Sequence, residues 1–486
     1  MPRPYALIIF DGFGYRKDTK YNAIAQAYTP TIDYLLSHYP HCLLHAAGEY
    51  VGLPPGYIGN SEVGHMTIGA GQIIKQSLTI INEAIENKSF FQNTTLIIHL
   101  EHLKRTEKTL HLIGLLSDAG VHSNINHLLA LIKAAHDIHV KRIIVDVILD
   151  GRDTTSKSAF KYLRELDGYI KQFPEVAIGS IHGRFYAMDR DKNFDRTDQS
   201  INILTTKTAK KNITWQEVLE KNYAQNISDE FIPPTQLSPE NMIHEDDGII
   251  IFNFRSDRSR QLKNQLQKLD LNFVLTMVPY ETSDNKSNCL FETSQITNTL
   301  LDVLAKNNKT VFAVAETEKY AHVTYFFNGG HEQKLDNETR VVIPSIKTKN
   351  YVDCPCMSAP EITNAILKSL KDKPCDFYLV NYANADMVGH SGDMQATIKA
   401  VECLDKQLAI LYEKIVKKYH GTLYITADHG NAELMYDEKS MQPSTSHTEN
   451  PVPFIYVTNK KNNTKIVNIA QLADIKDFIL KDMGII

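Results

Sequence analysis

Seven side chains in the outer segments of the chain are of the types that hold divalent metal ions: Asp11, Ser61, Asp386, His390, Asp428, His429 and His447. Asp428 and His429 follow directly on the apolar run 424–427, with Gly430 behind them to let the backbone turn. Asp386 and His390 are four apart, so on a helix they share one face, as chelating pairs do. His447 lies in the polar stretch Ser444-Thr-Ser-His-Thr-Glu449, which can reach over a site as a loop. Carboxylate oxygens mixed with imidazoles suit Mn²⁺ or Zn²⁺ better than Ca²⁺. The set is too large for one tetrahedral ion and natural for two, and paired metals can activate a nucleophile and clamp a phosphoryl group in transfer. Any one of these residues taken alone is more often a cap or a satisfied polar group, so the pattern carries the reading.

Ser61, in Gly59-Asn-Ser-Glu-Val-Gly-His-Met66, has two readings of equal weight. It is an ordinary helix cap, or a nucleophile at a helix N-terminus, where free amides favour an anion and metal ligands supply the activation a serine needs. A second chemical class occupies the middle of the chain: Arg152, Arg184, Arg190, Arg255 and Arg258. Guanidinium groups match phosphate and carboxylate oxygens in pairs, so the cluster implies a small substrate with several anionic oxygens. His122 and Asp153 share these stretches and could handle protons.

The elements that must position these groups are short apolar strands alternating with helical patterns. Strands are predicted at 5–10, 109–116, 142–149, 176–182, 248–254, 310–315, 377–381 and 423–427, and helices at 124–136, 156–173 and 394–419. Such alternation predicts an α/β protein with parallel sheets flanked by helices. The polar residues follow the strands, where open α/β sheets place their sites. With 486 residues, two domains are expected. A net charge of −5 argues against nucleic-acid or membrane partners. Six cysteines without a disulfide rhythm, Cys354-Pro-Cys356 among them, predict reduced thiols. The first apolar run is too short for a signal or membrane segment, and a cytoplasmic protein is expected.

The motifs Asp11-Gly-Phe-Gly14, Gly59-Asn-Ser-Glu-Val-Gly-His-Met66, Ser117-Asp-Ala-Gly-Val-His-Ser123, Asp150-Gly-Arg-Asp-Thr154, Asn253-Phe-Arg-Ser-Asp-Arg258, Asp386-Met-Val-Gly-His390 and Ala427-Asp-His-Gly-Asn431 resemble those of the cofactor-independent phosphoglycerate mutases of the alkaline-phosphatase superfamily. They match in order over nearly the whole chain. The resemblance implies an alkaline-phosphatase-like domain made of residues 1–75 and 312–486, with a second α/β domain, 76–311, inserted between. The crevice between them would be the ligand site, and closure would exclude water. It implies interconversion of 2-phosphoglycerate and 3-phosphoglycerate without 2,3-bisphosphoglycerate, through a phosphoserine at Ser61. Two Mn²⁺ are implied, with Co²⁺ or Zn²⁺ possible: one on Asp386, His390 and His447, the other on Asp11, Ser61, Asp428 and His429. His122, Arg152, Arg184, Arg190, Arg255 and Arg258 would hold the phosphoglycerate. Asp153 would shuttle the proton, and Lys319 would neutralise the transferring phosphate. A monomer is expected by the same resemblance. Ser256 stands where many relatives carry proline, with both neighbouring arginines retained. The alternative is a metal-dependent phosphomonoester hydrolase of the same superfamily, which gives no reason for His122, Arg152 and Asp153.

Overall fold

The computed structural model describes residues 3–486 except 210, 282–285, 293–295, 349, 439–440, 461–465 and 467–468. The chain forms two compact units, Met1–Lys75 with Ser294–Ile486, and Gln76–Thr293. The first unit resumes well before residue 312 because the helix Leu300–Lys306 buries Leu300, Leu301 and Leu304 in that unit's core.

The first unit is built on a seven-stranded sheet. In chain order its strands are β1 (Tyr5–Phe10), β2 (His41–Leu44), β9 (Val311–Glu316), β10 (Glu338–Ile343), β11 (Phe377–Tyr382), β12 (Thr422–Thr426) and β15 (Val452–Thr458). Those of the second unit are β3 (Leu110–Leu115), β4 (Ile143–Leu149), β5 (Val176–Gly183), β6 (Thr235–Gln236), β7 (Gly248–Ile251) and β8 (Phe273–Thr276), and β13 (Tyr436–Asp437) and β14 (Gln442–Pro443) form a separate ribbon.

The large sheet runs β10-β9-β11-β1-β12-β15-β2. β1 is central and parallel to both neighbours, with Ile8 opposite Val380 and Ile425. Such a strand is covered on both faces and so reads as continuous apolar sequence. Burying a side chain like Ile8 contributes about 1.5–3 kcal/mol. β15 runs antiparallel to β12 and β2 antiparallel to β15, a departure from a wholly parallel sheet. Pro453 inside β15 and the polar residues of β10 obscure these outer strands in the sequence.

The second sheet runs β6-β5-β4-β3-β7-β8 and is parallel apart from β6. The helix Ile125–Ile138 starts at Asn124, whose side chain caps Asn126 N. The long helix expected at 394–419 is α-helical over Met394–Leu411 and widens into a π-helical stretch at Tyr412–Lys418.

The thiols are not all reduced: Cys356 and Cys403 form a disulfide, with Cα atoms 5.6 Å apart. A separation of 47 residues leaves no short spacing to signal it. Cys354 is free, so the C-x-C pair is not itself a bridge. Among the described residues no helix is long and apolar enough to cross a membrane.

Candidate active site

In the first unit, Lys319, Asp386, Asp11 and Asp428 lie just beyond the carboxyl ends of β9, β11, β1 and β12, four neighbours in the sheet. Their side chains converge at the N-terminus of the helix Ser61–Ala70. The cap of that helix is Asn60, whose side chain accepts from Val63 N at 3.1 Å. Ser61 is therefore released from capping, and its hydroxyl donates to Asp11 Oδ1 at 3.0 Å and lies 2.9 Å from His429 Nε2. His429 Nε2 is also 3.5 Å from Asp428 Oδ2. Lys319 Nζ donates to Asp11 Oδ1, Ser61 Oγ and Asp386 Oδ2 at 2.7–2.8 Å.

Asp386 lies in the short helix Asn384–Gly389 and His390 is its C-cap, with His390 Nε2 at 3.2 Å from Asp386 Oδ1. His447 Nε2 reaches the same oxygen at 3.1 Å, and the two Nε2 atoms are 3.1 Å apart. The Nδ1 atoms of His390, His447 and His429 face the carbonyls of Thr445, Gly59 and Gly430 at 2.7, 2.9 and 3.2 Å. A carbonyl can only accept, so each Nδ1 carries a proton and each Nε2 is aimed at the carboxylates.

Burial works against charge throughout this cluster, but the partners decide the outcome. Burial raises Asp11, and Lys319 overrides it to hold the carboxyl far below its usual range. Burial lowers Lys319, yet Asp11, Asp386 and Asp428 keep it charged. His429 is likewise lowered by burial, but Asp428, Asp11 and Asp386 push it up to about 9. His390 is raised by Asp386 against burial, whereas burial and His429 lower His447.

The second unit gathers the other class. His122, Arg152, Asp153, Arg184, Arg190, Arg255 and Arg258 all follow the carboxyl ends of β3, β4, β5 and β7. Asp150 accepts from the backbone N–H of Arg152 at 3.2 Å and of Asp153 at 2.9 Å, closing a tight loop with Gly151 at φ +68°. Arg184 Nη1 donates at 2.6 Å to both Asp150 and Asp153. Asp257 lies 2.9 Å from Arg190, 3.3 Å from Arg255 and 3.8 Å from His122. Arg152 faces Glu230 at 3.5 Å, and Arg258 approaches Met188 O at 3.5 Å. Burial, then Arg184 and Arg255, push His122 down to about 3, so its ring is neutral. Arg258 is lowered by burial and by Arg190, Arg152 and Arg184, a mutual repulsion that an anion would relieve.

Comparison with known proteins decides between the chemistries such a pair of sites could serve. A family model described as the metalloenzyme superfamily matches residues 3–486. The 2,3-bisphosphoglycerate-independent phosphoglycerate mutase of Clostridioides difficile (strain 630) is 43% identical, over 99% of this chain and 97% of its own. The protein of that name from Francisella philomiragia is 40% identical, over 100% of this chain and 97% of its own. The chain belongs to this mutase family. A crystal structure of the Leishmania mexicana phosphoglycerate mutase at low cobalt concentration superposes with a TM-score of 0.79 and 29% identity, over 100% of this chain and 96% of that one.

For a member of a metalloenzyme superfamily, the donor set must suit a divalent ion, and here it does. Asp386, His390 and His447 place ligand atoms within 4.8 Å of one another, as do Asp11, Asp386 and His429. Among the described residues none hydrogen-bonds the buried Oδ2 of Asp428, leaving a lone pair available. His65 is a poorer donor despite lying 3.2 Å from Asp428 Oδ2. Its Nδ1 is spent on Ser61 O at 2.8 Å, and its Nε2 accepts from Asn381 at 3.0 Å. Sequence reasoning did not single out Asp150, Asp257, Glu230 or Asn381. Asn381 donates to Asp11 Oδ2 at 2.7 Å, and its one signal is a polar residue near the end of an apolar strand.

Proposed function

We propose that this chain interconverts 2-phosphoglycerate and 3-phosphoglycerate by passing the phosphoryl group through Ser61. The observation that carries this is Ser61 itself: a buried hydroxyl, free of capping duty, among Asp11, His429 and Lys319. Two divalent ions, Mn²⁺ first and Co²⁺ or Zn²⁺ as substitutes, would be held by Asp386, His390 and His447 and by Asp11, Ser61, Asp428 and His429. Bound there, such ions lower the pKa of a ligating hydroxyl and offset charge on phosphoryl oxygens.

The chain's own residues supply the rest. His122, Arg152, Arg184, Arg190, Arg255 and Arg258 grip the carboxylate and phosphate of the substrate. Ser61 Oγ, as its alkoxide, attacks phosphorus as the bond to the glycerate oxygen breaks, and protonated Asp153 gives that oxygen its proton. The glycerate then presents its other hydroxyl, Asp153 takes that proton, and the phosphoryl group returns. Lys319 balances negative charge at Ser61 throughout. The acceptor belongs to the enzyme, so no 2,3-bisphosphoglycerate is required. A cytoplasmic monomer with no nucleic-acid or membrane partner completes the proposal.

The test is ³¹P NMR of metal-loaded protein with 3-phosphoglycerate and no bisphosphoglycerate. Growth of 2-phosphoglycerate to an equilibrium ratio is expected. Accumulation of inorganic phosphate alone would replace this reading with a hydrolase.

A further inference from the structure

Glu433 is fully buried, two residues beyond Asn431 in the loop that carries Asp428 and His429. Among the described residues no cationic side chain pairs with its carboxylate; Arg16 Nε donates to its backbone carbonyl, at 3.1 Å. Its carboxylate is instead satisfied by neutral donors from three loops. Oε2 accepts from Gly14 N at 3.1 Å and from Asn431 N at 2.8 Å. Oε1 accepts from Asn450 Nδ2 at 3.0 Å and from the Thr448 hydroxyl. The first loop carries Asp11, the second Asp428 and His429, and the third His447.

Two glycines clear the space for it. A Cβ on Gly14 would lie 2.3 Å from the Glu433 carboxyl group, and one on Gly430 would lie 2.4 Å from Oε1. Neither side chain could be added without displacing the carboxylate. A buried carboxylate without a cation is costly unless its hydrogen bonds are complete. Its retention at the junction of three ligand-bearing loops calls for a role in holding them.

We propose that Glu433 is a positioning residue of the metal centre, fixing the His447 loop to the loops of Asp11 and of Asp428 and His429. The inference rests on the metal-centre reading above. His447 is held from one side by Gly59 O, which receives its Nδ1–H. From the other side it is held through Thr448, whose hydroxyl is bound to Glu433 and whose N–H donates to Gly430 O at 3.1 Å. Removing the carboxylate leaves the Gly14 and Asn431 amides unpaired and frees the Thr448 side chain. His447 then loses its register against Asp386 and His390. The effect should fall most heavily on the ion at Asp386, His390 and His447.

The test uses Co²⁺ as the probe, titrated into the full-length chelated protein and followed by its d–d absorption and by equilibrium dialysis. Glu433→Ala should weaken one of two cobalt equivalents about 10- to 100-fold and change its spectrum. Glu433→Gln should recover most of that affinity, because an amide oxygen still accepts the two backbone N–H groups while Thr448 and Asn450 turn to accept. Thr448→Val should shift the same equivalent in the same direction, and adding it to Glu433→Ala should cost nothing further. A merely structural role would lower the melting temperature and leave cobalt affinity and spectrum alone. Wild-type cobalt binding in folded Glu433→Ala, or in Thr448→Val if the alanine variant does not fold, would overturn the proposal. A wild-type protein that binds no cobalt would overturn the metal-centre reading beneath it.

Discussion

Ser61 is 7% exposed and sits within hydrogen-bond reach of a carboxylate, an imidazole and an ammonium group, each with a different effect on its proton. Ser61→Ala removes one oxygen at the first helical position and leaves the Asn60 cap intact, so the fold should persist while phosphoenzyme disappears; circular dichroism and phosphoprotein analysis would show this. Asp153→Asn removes the proton carrier, and turnover should fall about 10²- to 10⁴-fold. Interconversion at the wild-type rate would reassign that role. His429 sets the pH behaviour. In metal-free protein its pKa is raised to about 9, so its proton contributes stability that is complete below about 6.5 and lost as pH rises through about 9. The same proton competes with metal, so activity should run the other way, falling on acidification and partly restored by added Mn²⁺. Rate–pH profiles at two metal concentrations should therefore have different midpoints; superimposable profiles would show that ligand protonation is not limiting.

The elements explain why some of these residues could be read from sequence and others could not. Asp11, Asp386 and Asp428 end or follow apolar strands, so the strand-to-polar transition marks them. Asn60 took the capping role and left Ser61 open, a distinction that depends on one residue of register at a helix start. Asp257 hides inside a motif read for its arginines, and Asn381 lies within an apolar strand. The Cys356–Cys403 disulfide joins a loop to the middle of a helix and has no local signature. The helix Ser61–Ala70 also shows how closely the site is packed. A Cβ on Gly64 would lie 2.5 Å from Asp428 O and 2.8 Å from Asp428 Cβ. Gly64→Ala should therefore destabilise the protein by about 1–3 kcal/mol despite alanine's better helix propensity. Urea unfolding would measure it; a neutral or stabilising change would mean that helix and loop separate freely.

At the scale of the whole molecule, the chain places metal-type ligands at the strand ends of one unit and arginines at the strand ends of the other. The metal-type residues come from both ends of the chain and the arginines from the middle, a layout that leads the sequence reading to expect a discontinuous first domain; the first unit comprises Met1–Lys75 and Ser294–Ile486. Its second boundary was not legible in the sequence, because Leu300–Lys306 is a short helix whose packing partners are distant in sequence. The proposed interconversion turns on the covalent state at Ser61. The most direct measurement is peptide mass spectrometry of the wild-type enzyme, rapidly quenched in acid after mixing with 3-phosphoglycerate, with Mn²⁺ and after chelation. A phosphoryl group on the peptide containing Ser61, present with metal and absent without it, is the expected result. An unmodified Ser61 in the metal-loaded sample, with mutase activity intact in the wild-type enzyme, would contradict the account.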